Sequence, residues 1–270
     1  MSLPFTVEAL CQLAREAGEI TLPWWRRDPE VITKADDSPV TAADLAANSH
    51  ILQGLQALTP DIPILSEEAA DVPYAERRHW SRFWLVDPLD GTREFIAGTD
   101  EFTVNIALIE ADQVRFGVVG VPARGTLYWG GAGLGSWRRQ GDGPAEPIRC
   151  RAPAEPLRVV ASRRHTSPDQ EALLERLQGA RNLELTNVGS SLKFCVLAEG
   201  SADLYPRFAP TSQWDTAAAQ AVVEGAGGQV LGMDGRRFDY PQRADWLNPW
   251  FIATGLPDGV LTRLLLDQLD

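Results

Sequence analysis

Apolar and polar residues alternate with different periods along the chain, and each change of period marks an element. In residues 5–25, Val7, Leu10, Leu13, Ala14, Ala17 and Ile20 recur at helical spacing, which predicts a helix. A polar stretch, "RRDPEVITKADDSPV", breaks that period. Thr41 then opens a second helical run, "TAADLAANSHILQGLQAL", which Thr59-Pro60 ends. "DIPILSEEAAD" predicts a short strand entering an acidic turn, residues 70–82 a polar surface loop, and residues 83–86 a buried strand. "EFTVNIALIE" alternates with period two, and "VRFGVVGVP" and "GTLYWGG" continue as antiparallel strands between turn residues.

The stretch "RQGDGPAEPIRCRAPAEP" is rich in Gly and Pro and marks the expected lobe boundary. This divides the chain into an N-terminal α+β lobe over 1–150 and a C-terminal α/β lobe over 151–270, packed as one compact unit. Beyond the boundary, strands and helices alternate. "LRVVAS", a helix near 168–178, "LELTNVG", a helix from Ser190, "ADLYPRF", a helix from Asp215 and "PWFIATG" predict a three-layer arrangement.

Composition narrows the function classes. With 44% hydrophobic and 23% charged residues, the chain reads as an ordinary globular protein. No apolar run reaches the ~18 residues of a membrane span, and the N-terminus shows no export signal. Cys11, Cys150 and Cys195 are widely spaced and odd in number, which suggests reduced thiols in a cytoplasmic protein and gives no zinc spacing. A net charge of −12 argues against a nucleic-acid partner, because phosphate backbones select for surplus Lys and Arg.

The acids gain meaning from where they stand. In "LVDPLDGTREF" an apolar strand runs into Asp87 and Asp90, with Pro88 stiffening the backbone between them and Gly91 permitting a sharp bend. Asp is a common turn former, but a turn needs only one. Two carboxylates with the Leu89 carbonyl between them offer hard oxygen donors of the kind Mg²⁺ prefers. Glu67 and Glu68 follow a short strand and read either as a solvated turn or as a source of one shared ligand. Asp44 lies three residues after Thr41, a capping-box spacing that leaves a metal-facing role open. Asp215, before an Ala-rich helix, reads alone as a helix cap. Gly189-Ser190-Ser191 sits between a predicted strand and helix, where an anion could rest, with Lys193 one helical step further on. "SRRH" (Ser162 to His165) places a basic cluster after a strand.

Three separated motifs in order, "SEE" (66–68), "WLVDPLDGT" (84–92) and "WDTAAAQAVVEGAGG" (214–228), resemble the inositol monophosphatase superfamily of Mg²⁺-dependent, lithium-sensitive phosphatases. "SPVTAADLAA", "VDPLDGTREF", "FTVNIALIE", "GSSLKFCVLAEGSADLYPRFAPTSQWDTAAA" and "LNPWF" resemble its bacterial 3'(2'),5'-bisphosphate nucleotidase branch, and the likeness runs from about Leu10 to about Phe251. The resemblance implies a five-layer αβαβα sandwich and two or three Mg²⁺ ions. It implies that Glu67, Asp87 and the Leu89 carbonyl hold one ion, that Asp87, Asp90 and Asp215 hold a second, and that Asp44 and Thr92 orient the attacking water. Glu67, Leu89, Asp90, Gly91, Thr92, Asp215, Ser162, His165, Gly189, Ser190 and Lys193 would face the substrate, with Glu68 supporting Glu67. Arg163 and Arg207, beside Lys193 and His165, could complete a second anion site.

The implied activity is removal of the 3'-phosphate of adenosine 3',5'-bisphosphate or its sulfated form, giving AMP in sulfate assimilation. The alternative on the same fold is hydrolysis of inositol monophosphate or fructose 1,6-bisphosphate. A silent Mg²⁺ or Ca²⁺ binding module is the rival from another class, and the Asp44–Thr92 pair speaks against it. Arg93 stands where the branch often has Lys, so a fork replaces a point charge. The superfamily includes monomers and homodimers, and similar bacterial proteins can associate peripherally with the cytoplasmic face of the inner membrane.

Overall fold

The computed structural model describes residues 3–27, 31–33, 39–152, 154–161, 167–180 and 182–255. Its elements in chain order are α1 (Val7–Thr21), β1 (Val31–Thr33), β2 (Pro39–Thr41), α2 (Ala42–Leu58), β3 (Ile64–Ser66), α3 (Tyr74–Arg77), β4 (Arg82–Asp90), α4 (Thr92–Ile96), β5 (Thr103–Glu110), β6 (Gln113–Val121), β7 (Thr126–Gly131), β8 (Gly135–Gln140) and β9 (Glu146–Ile148). There follow β10 (Leu157–Ala161), α5 (Pro168–Ala180), β11 (Leu183–Asn187), α6 (Leu192–Ala198), β12 (Leu204–Arg207), α7 (Gln213–Gly225), β13 (Gln229–Gly232) and β14 (Phe251–Thr254).

Two sheets carry the architecture. A seven-stranded sheet runs β3-β4-β5-β6-β7-β8-β9, and a five-stranded sheet runs β11-β10-β12-β14-β13. In the first, β3 pairs parallel to β4 and the other pairs are antiparallel. Strand alternation sorts the apolar side chains into layers. From β4, Trp84 and Val86 join Leu10, Ala14, Ala47 and Ile51 of α1 and α2, whereas Phe83 and Leu85 point the other way, toward α6 and α7. Both faces are covered, so "FWLV" is apolar without a break. The second sheet repeats the device: Val160, Tyr205 and Phe251 face the central layer, and Leu157, Val159, Leu204 and Ile252 pack with Leu173 and Leu177 of α5. The order is helices, sheet, helices, sheet, helix, the αβαβα sandwich.

The structure departs from the sequence expectations at several places. Residues 70–82 are not simply a surface loop: they contain α3, whose Arg77 is 1% exposed. Its guanidinium lies 3.7 Å over the Trp246 ring and donates to Gln242 Oε1 (2.9 Å) and the Ala244 carbonyl (3.0 Å). A cation sandwiched on an aromatic face can be buried although its charge reads as surface. The strand expected over 83–86 extends to Asp90, with its register shifted between Asp87 and Asp90. Two further strands, β8 and β9, extend the first sheet, and β9 lies inside the Gly/Pro-rich stretch. β13 was also not expected. Its sequence, "QVLG", is too short to show a period. No helix among the described residues is long and apolar enough to cross a membrane.

Candidate active site

Three elements deliver acids to the carboxyl end of β4: β4 itself, the turn after β3, and α7. Alternation puts Asp87 on the same face as Phe83 and Leu85, toward the central helices, and leaves it 1% exposed. Glu67 opens a single 3-10 turn directly after β3, the parallel neighbour of β4, so two adjacent strand ends deliver two acids to one place. Asp215 arrives in the first turn of α7 and accepts a hydrogen bond from the Ser212 N–H (2.8 Å), a capping box. Carboxylate oxygens of Glu67, Asp87 and Asp215 all lie within 4.8 Å of one another. Trp214, the neighbour of Asp215, packs on Trp246 at 5.6 Å between ring centroids, and Trp246 in turn carries the Arg77 guanidinium.

Such a cluster is electrostatically uncomfortable on its own. The Asp87 carboxyl is held well above the ordinary carboxylate range, first by burial and then by Glu67, Asp90 and Asp215. Asp215 is raised likewise, by burial and then by Asp90 and Glu67. Asp90 is raised by burial, while the Lys193 charge and the Ser191 N–H pull it back. Like charges held this close call for a cation among them. The three converging donors are hard carboxylate oxygens with no histidine or cysteine among them, which is the donor chemistry of Mg²⁺. The residues therefore fit a divalent oxygen-seeking metal.

Asp44 and Thr92 sit beside this cluster. One Asp44 oxygen accepts from the Thr41 N–H (2.8 Å) and hydroxyl (2.6 Å), the capping box expected from the spacing. Its other oxygen accepts from the Thr92 hydroxyl at 3.2 Å, and Thr92 Oγ1 is also 3.3 Å from the Leu89 carbonyl. The two roles weighed for Asp44 are thus compatible: one oxygen caps a helix and the other faces Thr92. Gly91 between Asp90 and Thr92 has φ +86°, and a Cβ there would stand 3.2 Å from Ser190 Cβ, so the bend needs glycine.

The strand-to-helix connection after β11 differs from a simple anion cradle. The Gly189 N–H donates to Glu101 Oε2 (2.9 Å) and the Ser191 N–H donates to Asp90 Oδ2, so both donors serve carboxylates of the chain itself. Ser190 takes a left-handed conformation, φ +46°, and α6 begins only at Leu192 with seven residues. Lys193, 6% exposed, donates to the Ser190 carbonyl (2.8 Å), and burial lowers its ammonium to about 8, against the pull of Asp90. Arg207 is buried and donates to the Ala209 and Pro210 carbonyls (3.2 and 2.9 Å). Arg93 is exposed and Glu68 partly buried. Ser162, Arg163 and His165 lie outside the described residues.

Sequence reasoning passed over Thr103, Asn105 and Glu101 and read Ser191 only as part of an anion cradle; these four hold the site residues. A signal was present: in "FTVNIALIE" Thr103 and Asn105 are polar at alternate positions of an otherwise buried strand.

The fold and this acid cluster define a sugar-phosphatase-like class of metal-dependent phosphatases. The sequence profile of the inositol monophosphatase family matches residues 4–255, and the chain belongs to that family. It is 49% identical to the 3'(2'),5'-bisphosphate nucleotidase CysQ of Salmonella typhimurium over 251 residues, covering 92% of this chain and 99% of that one. It is 48% identical to CysQ of Escherichia coli K12 over 248 residues, covering 91% and 98%. The crystal structure of CysQ from Bacteroides thetaiotaomicron superposes with a TM-score of 0.81 at 39% identity, over 93% of this chain and 97% of that one. A Thermotoga maritima IMPase, 24% identical, shares the fold with a TM-score of 0.77, over 97% and 95% of the two chains.

Proposed function

We propose that this protein is a Mg²⁺-dependent 3'(2'),5'-bisphosphate nucleotidase that converts adenosine 3',5'-bisphosphate to AMP and phosphate. The observation that carries the reading is the convergence of buried Asp87 with half-buried Glu67 and Asp215 in a chain about half identical, along nearly its whole length, to proteins of that name. Glu67, Asp87, the Leu89 carbonyl, Asp90 and Asp215 hold two or three ions. Bound there, Mg²⁺ supplies Lewis-acid stabilisation of the charge that develops on the phosphoryl and leaving oxygens and acidifies water.

The chain's own groups aim the nucleophile. Thr92 Oγ1 accepts a proton from the attacking water as its own proton passes to Asp44 Oδ1, along the existing 3.2 Å hydrogen bond. Burial raises the Asp44 carboxyl, which makes it a better proton acceptor than a free aspartate. The water oxygen bonds to phosphorus, the bond from phosphorus to O3' breaks, and O3' takes a proton from solvent. No covalent phospho-enzyme is formed. Positioned acid–base catalysis contributes ~10²–10⁴-fold, far short of what phosphomonoester hydrolysis requires, so the cations that the carboxylate cluster would hold would supply most of the acceleration.

The second phosphate sets specificity. Lys193 and Arg207 are two buried cations carried by α6 and β12, and Ser162, Arg163 and His165, which lie outside the described residues, would be further contacts. The neutral analogue Lys193→Met should lower kcat/KM for adenosine 3',5'-bisphosphate roughly tenfold more than for inositol 1-phosphate. Equal losses on the two substrates would argue against a second anion site here. The reaction belongs in the cytoplasm: Cys11, Cys150 and Cys195 are all free thiols, as a reducing compartment keeps them.

The direct test is phosphate release from adenosine 3',5'-bisphosphate and from inositol 1-phosphate, with Mg²⁺, with EDTA and with added Li⁺. Mg²⁺-dependent, Li⁺-sensitive release with the nucleotide preferred is the expected result. Preference for inositol phosphate would keep the metal chemistry and discard the second anion site, and EDTA-resistant release would discard the metal chemistry.

A further inference from the structure

β5 lies opposite the acid-bearing end of β4 in a fixed register: Asn105 pairs with Asp87 and Thr103 with Asp90. Directly paired residues on antiparallel strands project to the same face, so Thr103 and Asn105 stand behind the two carboxylates. Both are buried, and Ser191, at the start of α6, closes a network with them. The Ser191 N–H and the Thr103 hydroxyl (3.2 Å) both donate to Asp90 Oδ2. Thr103 Oγ1 is 2.8 Å from Ser191 Oγ, which is 2.8 Å from Asn105 Oδ1.

With Asp90 ionised, two hydroxyl protons must serve three contacts. Thr103 gives its proton to Asp90, Ser191 has one left, and the third contact is met only if the carboxamide of Asn105 turns its nitrogen to Ser191. As placed, Asn105 Nδ2 is buried without a hydrogen-bond partner among the described residues, on the face that Asn105 shares with Asp87. Buried polar atoms are rarely left so, and one beside a carboxylate cluster points to a polar ligand in the cluster.

We propose that Thr103, Ser191 and Asn105 are positioning residues that commit Asp90 Oδ2 to the protein and leave its other oxygen for the metal, tying the metal-binding acids to the helix that carries Lys193. This rests on the assignment of Asp90 as a ligand. Groups that orient a ligand typically change metal affinity 10–100-fold when removed. Thr103→Val keeps the side-chain shape and removes the hydroxyl, and Thr103→Ser restores it. Ser191→Ala and Asn105→Ala break the network at its other members.

The test is a titration of each purified variant with MgCl₂ alone, followed by thermal unfolding to give an apparent Mg²⁺ dissociation constant, with Asp90→Asn alongside. The expected result is an about 10–100-fold weaker Mg²⁺ response for Thr103→Val and Ser191→Ala, and one near the parent for Thr103→Ser. A purely structural role would lower the melting temperature without moving the Mg²⁺ constant. If Thr103→Val, Ser191→Ala and Asn105→Ala all bind Mg²⁺ like the parent while Asp90→Asn does not, the positioning role is overturned and the ligand assignment stands. If Asp90→Asn also binds like the parent, the ligand assignment itself fails.

Discussion

Asp87→Asn is expected to give a metal-free protein more stable than the parent and an enzyme with no more than about a thousandth of its activity. The two effects have one cause. The Asp87 carboxyl sits well above its ordinary range because it is buried among Glu67, Asp90 and Asp215. An acid whose folded pKa is raised takes up a proton on folding. Its favourable share of stability is complete below the ordinary unfolded value near ~4 and is lost as pH rises through the folded value. Without metal, the parent should therefore weaken as pH rises above ~4. Asparagine keeps the Oδ1 that accepts from the Leu89 N–H at 3.0 Å, and it removes the charge. In EDTA at pH 8 the variant should gain on the order of 1–2 kcal/mol, or roughly 2–8 °C in Tm. Mg²⁺ should raise the Tm of the parent more at pH 8 than at pH 6, because at lower pH protons compete for the same oxygens, and this response should be largely lost in the variant. Paired unfolding scans and rate measurements check both. A less stable metal-free variant would mean that the cluster is not under the repulsion described.

How much of this was legible in the chain depends on distance along it. Local signals survived folding well. Thr41 and Asp44 are three apart and form the capping box their spacing predicts, and the helices that open near residues 7 and 42 follow their apolar period. The apolar run before Asp87 implied a buried strand, and the structure covers that strand on both faces. What the sequence could not show depends on partners far away. Arg77 reads as a surface charge, since nothing near it announces that Trp246 will cover it. Gly189 and Ser191 read as donors waiting for an anion, but Glu101 and Asp90, roughly a hundred positions earlier, take those N–H groups. The acids themselves were individually ambiguous, each with a good turn or cap explanation. Asp44 fills the capping-box role its spacing predicts, whereas Asp215 is not the N-cap itself but sits inside the first turn and supports the Ser212 cap, and only its spatial meeting with Glu67 and Asp87 reveals a second use.

That double use sets up the second large effect. Asp44 spends one oxygen on Thr41 and the other on Thr92, and substitution by asparagine separates the two functions. The amide oxygen of Asp44→Asn can still accept from Thr41, so the cap is largely kept and the stability change should stay within about 1 kcal/mol. The amide nitrogen then faces Thr92 and can only donate. The hydrogen bond reverses, and Thr92 can no longer pass its proton on. kcat should fall ~10²–10⁴-fold with little change in KM, because an oriented proton acceptor is lost while substrate contacts remain. Thr92→Val should behave similarly, and Thr92→Ser, which keeps the hydroxyl, should stay within about tenfold of the parent. Steady-state kinetics on the three variants, with melting curves as the control for folding, separate the possibilities. Near-parental kcat in Asp44→Asn would reduce Asp44 to a helix cap. A rise in KM with kcat preserved would move the Asp44–Thr92 pair from aiming water to binding the phosphate.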